Sequence, residues 1–95
     1  MRLDPDDATA WYGKGNALAE LGRSEEALTA YTRVTEIEPD DVDAWYARGL
    51  VLHQLGRYKD AVAAYDRVLS LDPENTCARD NRETAQNKQQ PYEVG

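Results

Sequence analysis

With 95 residues, 18 acidic side chains and 11 lysines and arginines, the chain has room for one small domain and carries a net charge of −7. A chain with this net negative charge repels phosphate backbones, which argues against nucleic acid as a partner. One cysteine and one histidine exclude an internal disulfide and a zinc site, and no apolar run could span a membrane, so neither cofactor nor membrane is expected.

The first segment, residues 1–7, contains Leu3-Asp4-Pro5 and no apolar stretch of the kind found in a signal peptide. The expected location is therefore the cytoplasm. A similar triplet stands before two later helices, so we interpret residues 1–7 as the tail of a preceding repeat or a linker. This predicts either a piece cut from a longer array or a first helix that another chain covers.

An internal period of 34 residues organises the rest of the chain. Pro5, Pro39 and Pro73 are spaced by 34, and each follows an aliphatic residue and an acid. A period in this range is typical of helical repeats. The same shift superimposes Trp11 on Trp45, Tyr12 on Tyr46, Gly15 on Gly49, Leu18 on Leu52, Leu21-Gly22-Arg23 on Leu55-Gly56-Arg57, Ala27 on Ala61, Tyr31 on Tyr65 and Val34 on Val68.

Each unit is predicted to form two helices. In the first unit they run from about residue 8 to 21 and from about 24 to 38, and in the second unit the first runs from about 42 to 55. Aspartates at 6, 7, 40 and 41 are candidate N-caps, and glycines at 22 and 56 can end a helix with positive φ. The second helices carry an apolar stripe at helical spacing, and the prolines stop them. The stripe is Ala27, Tyr31, Val34 and Ile37, then Ala61, Tyr65, Val68 and Leu71.

Small residues mark the place where the two helices of each unit should cross. A large side chain at these positions would hold the helix axes apart, while bulky aromatic rings fill the flanking space. The small residues are Gly15, Ala27, Gly49 and Ala61, and the aromatic ones are Trp11, Tyr31, Trp45 and Tyr65.

Residues 76–90 keep part of the register but lose its large apolar members, since Arg79 stands where the repeats have tryptophan and Glu83 where they have glycine. We predict a capping helix with a polar outer face, which repeat proteins need at the end of a stack. Residues 91–95 have no periodicity and are expected to form a disordered tail.

The combined pattern, Trp-x3-Gly-x2-Leu, then Leu-Gly-Arg, then Ala-x3-Tyr-x2-Val and Pro, resembles the tetratricopeptide repeat. The resemblance implies an all-α fold, a right-handed α-solenoid fragment of two helix-turn-helix repeats at 8–41 and 42–75 plus the capping helix. One departure is the position before the pattern glycines Gly15 and Gly49, usually apolar in the family, where this chain has Lys14 and Arg48. Long stems can cover apolar surface while the charge reaches water, so the departure does not oppose the fold.

The family resemblance also implies a concave groove that holds peptide segments, lined by inward positions of the first helix of each repeat. Of these positions Tyr12 and Tyr46 are the strongest candidates, since tyrosine offers large apolar area with a polar tip. The alternative is that both rings simply pack along the groove wall. The groove positions are Thr9, Tyr12, Asn16, Ala19, Glu20, Asp43, Tyr46, Leu50, His53 and Gln54.

Other candidate features have simpler explanations. The carboxylate clamp of chaperone-binding family members needs basic groove residues, and the matching positions here offer none. Helix capping accounts for the aspartates at 6, 7, 40, 41 and 43 better than a basic ligand does. His53 and Cys77 have no accompanying catalytic set, so we predict that the chain is not an enzyme.

The predicted function is a protein–protein interaction scaffold that binds a basic or neutral peptide segment of a partner. Three alternatives stay open: a self-assembly module, an accessory interaction domain of a larger enzyme, and a partly idealised or designed repeat. Because the first helix would lack a cover, weak self-association through the N-terminal end is also expected.

Overall fold

The computed structural model describes residues 7–89, with side chains as far as Lys88. Within this range the chain is entirely helical and turn, without a strand, so the predicted all-α repeat fold is confirmed. The helices are α1 (Ala8–Glu20), α2 (Ser24–Ile37), α3 (Val42–Gln54), α4 (Tyr58–Leu71) and α5 (Thr76–Gln89). Predictions for residues 1–6 and 90–95, including the Leu3-Asp4-Pro5 tail and the disordered tail, lie outside the described residues. The repeat boundaries stay a prediction.

One side-chain cap, repeated at the 34-residue interval, starts α1, α3 and α5. Asp7 Oδ1 accepts from the backbone N–H of Thr9 at 3.0 Å, and Asp41 Oδ1 accepts from that of Ala44 at 3.2 Å. Asn75, which was not among the predicted N-caps, accepts from the N–H of Ala78 in the same way at the start of α5. These side chains satisfy N–H groups that a helix start leaves without partners.

The turn between the two helices of each repeat contains a glycine with positive φ, as predicted. Gly22 and Gly56 have φ of 81° and 79°, a conformation that favours residues without a Cβ. The next N–H, from Arg23 or Arg57, reaches back to the carbonyl of Leu18 or Leu52 at 2.9 Å. This reverse bond satisfies a carbonyl of the final turn, so the following helix begins at a defined angle.

The stack is built from neighbours in sequence: α1 packs on α2, α2 on α3, α3 on α4 and α4 on α5. Most of the predicted stripe is buried, with Ala27, Val34, Ala61, Tyr65 and Val68 each fully inaccessible. Ile37 and Leu71, at the stripe's ends, are only half-buried. In α5 two alanines, Ala78 and Ala85, face the core and are fully buried.

The helix crossings are as close as the small residues suggested. A Cβ built on Gly15 would lie 2.7 Å from Tyr31 Cε1, and one on Gly49 would lie 2.5 Å from Tyr65 Cε1. Real carbon atoms do not approach so closely, so each tyrosine ring occupies the space that a side chain would need. The crossing therefore depends on glycine at these two positions.

Lys14 and Arg48, the basic residues at the position that is usually apolar in the family, lie over the rings of the tryptophans of their repeats. Lys14 Nζ is 5.1 Å from the centroid of the Trp11 ring, and Arg48 Cζ is 4.6 Å from that of Trp45. A cation over an indole face is favourable, and the stem covers apolar surface at the same time. This explains why a repeat of this kind tolerates a charge there.

Candidate functional site

All ten predicted groove residues are at least partly accessible. They recur along α1 and α3 at helical spacing, and we call this set the tyrosine face. Exposed members are Thr9, Asn16, Glu20, Asp43, Leu50 and Gln54, and half-buried members are Tyr12, Ala19, Tyr46 and His53. Their assignment to a binding groove stays a prediction.

Two tyrosines of this face rest on buried tyrosines of the following helix. The ring centroids of Tyr12 and Tyr31 are 5.7 Å apart, and those of Tyr46 and Tyr65 are 5.9 Å apart, with nearly the same tilt. Tilted aromatic pairs at this distance attract each other. One side of each accessible ring is therefore held by the core while the other side remains available, so packing and binding are compatible for these rings.

Hydrogen bonds hold the polar ends of this arrangement. The Tyr31 hydroxyl donates to Asn16 Oδ1 at 2.5 Å, and the Asn81 side-chain amide donates to the Tyr46 hydroxyl at 2.7 Å. Burial raises the pKa of the Tyr46 phenol, and the Asn81 bond partly offsets this increase. Asn81 belongs to α5, so the sequence pattern of α1 and α3 gave no indication that it would join the site.

The second repeat lacks the acceptor that the first one has. Leu50 stands at the position of Asn16, one period later, and the hydroxyl of the fully buried Tyr65 has no hydrogen-bond partner. Burial raises the pKa of Tyr65 to about 12, because a phenolate would be desolvated there. The two repeats therefore pack alike, but only the first provides a hydrogen-bond acceptor for the hydroxyl of its buried tyrosine.

We expect exchange of these two residues to shift stability in opposite directions. Asn16→Leu removes the acceptor of a buried hydroxyl and should lower the free energy of unfolding by about 1 kcal/mol. Leu50→Asn supplies Tyr65 with an acceptor and should raise it by roughly 0.5–1 kcal/mol. Urea denaturation followed by circular dichroism measures both. In a Tyr31→Phe background the Asn16→Leu effect should disappear, and persistence of the full loss would contradict the assigned bond.

Carboxylates lie near the Tyr12 ring of the tyrosine face. Burial raises the pKa of Tyr12, and the charges of Asp43 and then Asp41 raise it further. Glu20 and Asp43 take part in none of the ion pairs that join described residues. Those pairs are Arg23–Glu26, Arg33–Glu36, Arg57–Glu25, Arg67–Asp40 and Arg82–Asp66. The face therefore presents uncompensated negative charge beside apolar rings.

The remaining polar candidates form no reactive set. The His53 ring meets the Tyr58 ring edge-on at 5.2 Å, and Cys77 is exposed. Between residues 7 and 89 no three metal-ligating side chains come together. The same residues include no helix long and apolar enough to cross a bilayer.

Comparisons with known proteins agree on one family. Residues 1–38 and 19–76 match the model of the tetratricopeptide repeat. No curated protein matches the sequence.

Solved structures give the same fold. A crystal structure of MamA protein superimposes with a TM-score of 0.89 at 27% identity, covering 93% of this chain and 48% of that one. The tetratricopeptide domain of Arabidopsis OM64 does so with 0.79 at 29% identity, covering 84% and 66%. The first such domain of Spaghetti (RPAP3), bound to an HSP90 peptide, gives 0.85 at 22% identity, covering 96% and 72%, and so supports the fold alone. This chain spans about half the length of the MamA structure.

Proposed function

The chain belongs to the tetratricopeptide repeat family, and from this premise we propose that it binds a segment of a partner protein along the tyrosine face. Members of this family are protein–protein interaction modules. The observation that carries the proposal is the pair of half-exposed rings, Tyr12 and Tyr46, each supported from behind by a buried tyrosine. A ring that is already held in place loses little entropy on binding, which suits an anchor position.

The charge of the face selects the kind of segment. Glu20 and Asp43 are exposed and form no ion pair with another residue of the range 7–88, and the whole chain carries −7. A basic segment would gain long-range attraction, a neutral one would rely on the rings, and an acidic one would be repelled. We propose a basic or neutral partner, with no catalysis by the chain and action in the cytoplasm.

Removing the anchors tests the proposal. Peptides selected from a displayed random library against the chain provide the ligand, and calorimetry measures affinity. Tyr12→Ala and Tyr46→Ala should each weaken binding by about 1 kcal/mol or more. Leu21→Ala is the matched control, because Leu21 is 70% exposed and lies outside the tyrosine face.

Salt provides a second readout in the same experiment. Affinity for a selected basic peptide should fall as ionic strength rises, since exposed charges are screened. Circular dichroism at the working temperature confirms that each variant is folded. If both tyrosine variants bind selected peptides as well as the Leu21 variant does, the tyrosine face is not the binding surface.

A second candidate, self-association, is favoured by a difference between α1 and α3. Ala47 and Val51 of α3 are buried against the first repeat, 8% and 3% exposed. The residues one period earlier, Gly13 and Ala17, are exposed, and no helix within residues 7–89 covers them. We propose weak association of two copies through this face of α1.

Sedimentation over a concentration series tests this second candidate. Ala17→Glu should abolish association, because it places a charge on the exposed face of α1. Thr84→Glu places the same charge on exposed α5 and should leave association unchanged. A strict monomer into the millimolar range would contradict the candidate, and so would association lost only in the Thr84 variant.

A further inference from the structure

A second surface lies on the opposite side of α3 from the tyrosine face. Trp45, Arg48 and Leu52 share one face of the helix, displaced by two residues, or about 200° of rotation, from Asp43, Tyr46 and Leu50. They form one wall of an open cleft of about 400 Å³. Its lining from α2, α3, the turn before α4 and α4 itself is Leu28, Thr32, Trp45, Arg48, Leu52, Arg57, Asp60, Ala63, Ala64 and Arg67. No residue is shared with the tyrosine face.

Three arginines line this cleft. Arg48 lies 4.6 Å from the centroid of the Trp45 ring and Arg67 lies 5.9 Å from it, so one indole holds two cations. Arg57 lines the cleft from the turn before α4. Stacking on an aromatic face leaves the N–H edge of a guanidinium free to donate, which suits recognition of an oxyanion.

Arg48 has a donor that nothing in the described chain satisfies. Its Nη1 donates to Thr35 Oγ1 at 3.0 Å, while its Nε is buried without a hydrogen-bond partner. Burial also lowers the pKa of Arg48, which the nearby carboxylates of Glu36 and Asp60 partly offset. A buried N–H without an acceptor is unfavourable, and a shift of the Arg48 side chain toward the cleft would let an oxyanion bound there accept from it.

The acids near the cleft compete only weakly for these cations. Asp60 is the single carboxylate among the lining residues. Glu25 pairs with Arg57 at 2.8 Å and Asp40 with Arg67 at 3.9 Å, and in both pairs the carboxylate is mostly solvent-exposed. Exposed ion pairs are weak and exchange readily, so a better-placed oxyanion can replace them.

We propose that this cleft binds the carboxylate of an aspartate or glutamate side chain of a partner protein, held by Arg48, Arg57 and Arg67. The site goes beyond the proposed function, since it lies on another face and prefers the opposite charge. A singly charged carboxylate fits better than a phosphate, because a second negative charge would be opposed by Asp60 and by the net charge of −7. Both oxygen atoms of a carboxylate can accept hydrogen bonds from guanidinium N–H groups.

Arginine side-chain signals in ¹⁵N nuclear magnetic resonance provide a direct test. The probe is a tetraglutamate peptide with acetylated and amidated ends, and the matching tetraglutamine peptide is the control. We expect tetraglutamate to move the Nε–Hε signal of Arg48 in a saturable way, and tetraglutamine to leave it in place. Tyr46→Ala should not alter this response, which separates the cleft from the tyrosine face.

Two charge-matched pairs of variants sharpen the result. Arg67→Gln should weaken tetraglutamate binding about fivefold or more, whereas Arg79→Gln, on exposed α5 outside the cleft, should change it less than about twofold. Asp60→Asn should strengthen binding by at least about twofold, and Glu74→Gln, also outside the cleft, should not.

Three results would overturn the proposal. One is a tetraglutamate titration that leaves the Arg48 Nε–Hε signal unmoved. Another is an equal loss of affinity in the Arg67 and Arg79 variants, which would indicate non-specific attraction. The third is a response of Arg48 to inorganic phosphate without a response to tetraglutamate, which would assign the cleft to a different ligand.

Discussion

Replacing Tyr65 with alanine is expected to lower the free energy of unfolding by about 3–5 kcal/mol, by analogy with other truncations of large buried aromatic residues. Tyr65 is fully buried, fills the crossing of α3 and α4 against Gly49, and supports the Tyr46 ring. Its removal leaves a cavity that two packed helices cannot fill. Because small domains are stable by only about 5–15 kcal/mol, this is a large share of the total. Urea denaturation followed by circular dichroism measures the loss.

Tyr65→Phe separates the ring from its hydroxyl. The hydroxyl is buried without a partner, so its removal breaks no hydrogen bond and should leave stability within about 1 kcal/mol of the parent chain, or raise it. A Phe variant as unstable as the Ala variant would show that the hydroxyl is bonded and would refute this account.

The parent chain and the Tyr65→Phe variant should differ in how their stability changes at alkaline pH. The folded-state pKa of Tyr65 is about 12 and the ordinary value is 10.0, so the unfolded chain loses this proton first. Stability from this group is therefore fully present below pH 10 and is lost as pH rises from 10 towards 12. The Phe variant should lose less stability over that interval than the parent chain.

Replacing Gly49 with alanine is expected to destabilise the chain by about 1–3 kcal/mol, although alanine is the better helix former. The added Cβ would stand 2.5 Å from Tyr65 Cε1, and because the ring is fully buried, the residues packed around it would have to shift with it. Overpacking should therefore outweigh the gain in helix propensity.

Gly13→Ala is the matched control for Gly49→Ala. Both glycines are helical, but a Cβ at Gly13 meets nothing within 4 Å, so only the propensity gain of roughly 0.5–1 kcal/mol should remain. Thermal or urea unfolding compares the two. A stabilising effect at both positions would show that the crossing relaxes easily and that glycine is not required there.

Much of the fold could be predicted because its signals are local. Asp7 and Asp41 cap their helices and Gly22 and Gly56 take positive φ, as expected from residue type and position alone. Helix ends were displaced by one residue: α1 stops at Glu20 and α2 at Ile37. The last residue of a helix depends on which carbonyl the turn satisfies, and propensity does not resolve that.

The candidate site could be predicted less completely. The repeat register identified Tyr12 and Tyr46, but gave no sign that Asn81 would bond to Tyr46. Nor did the sequence indicate the cleft of Arg48 and Arg67, because the approach of both side chains to Trp45 depends on how α4 packs on α3.

Residue type and spacing alone specify the helical repeat, its period of 34, the caps at Asp7 and Asp41, the glycine turns and the family. The caps and turns follow from φ preference and hydrogen bonds between residues close together in the chain, and the repeat follows from the recurrence of one residue pattern every 34 positions. Tertiary packing settles which polar atoms find partners: the Tyr31 hydroxyl donates to Asn16, while Tyr65, for which Leu50 stands at the equivalent position, has a hydroxyl without a partner. A hydrogen bond needs its atoms within about 3 Å, and that distance is set by the packing of separate helices.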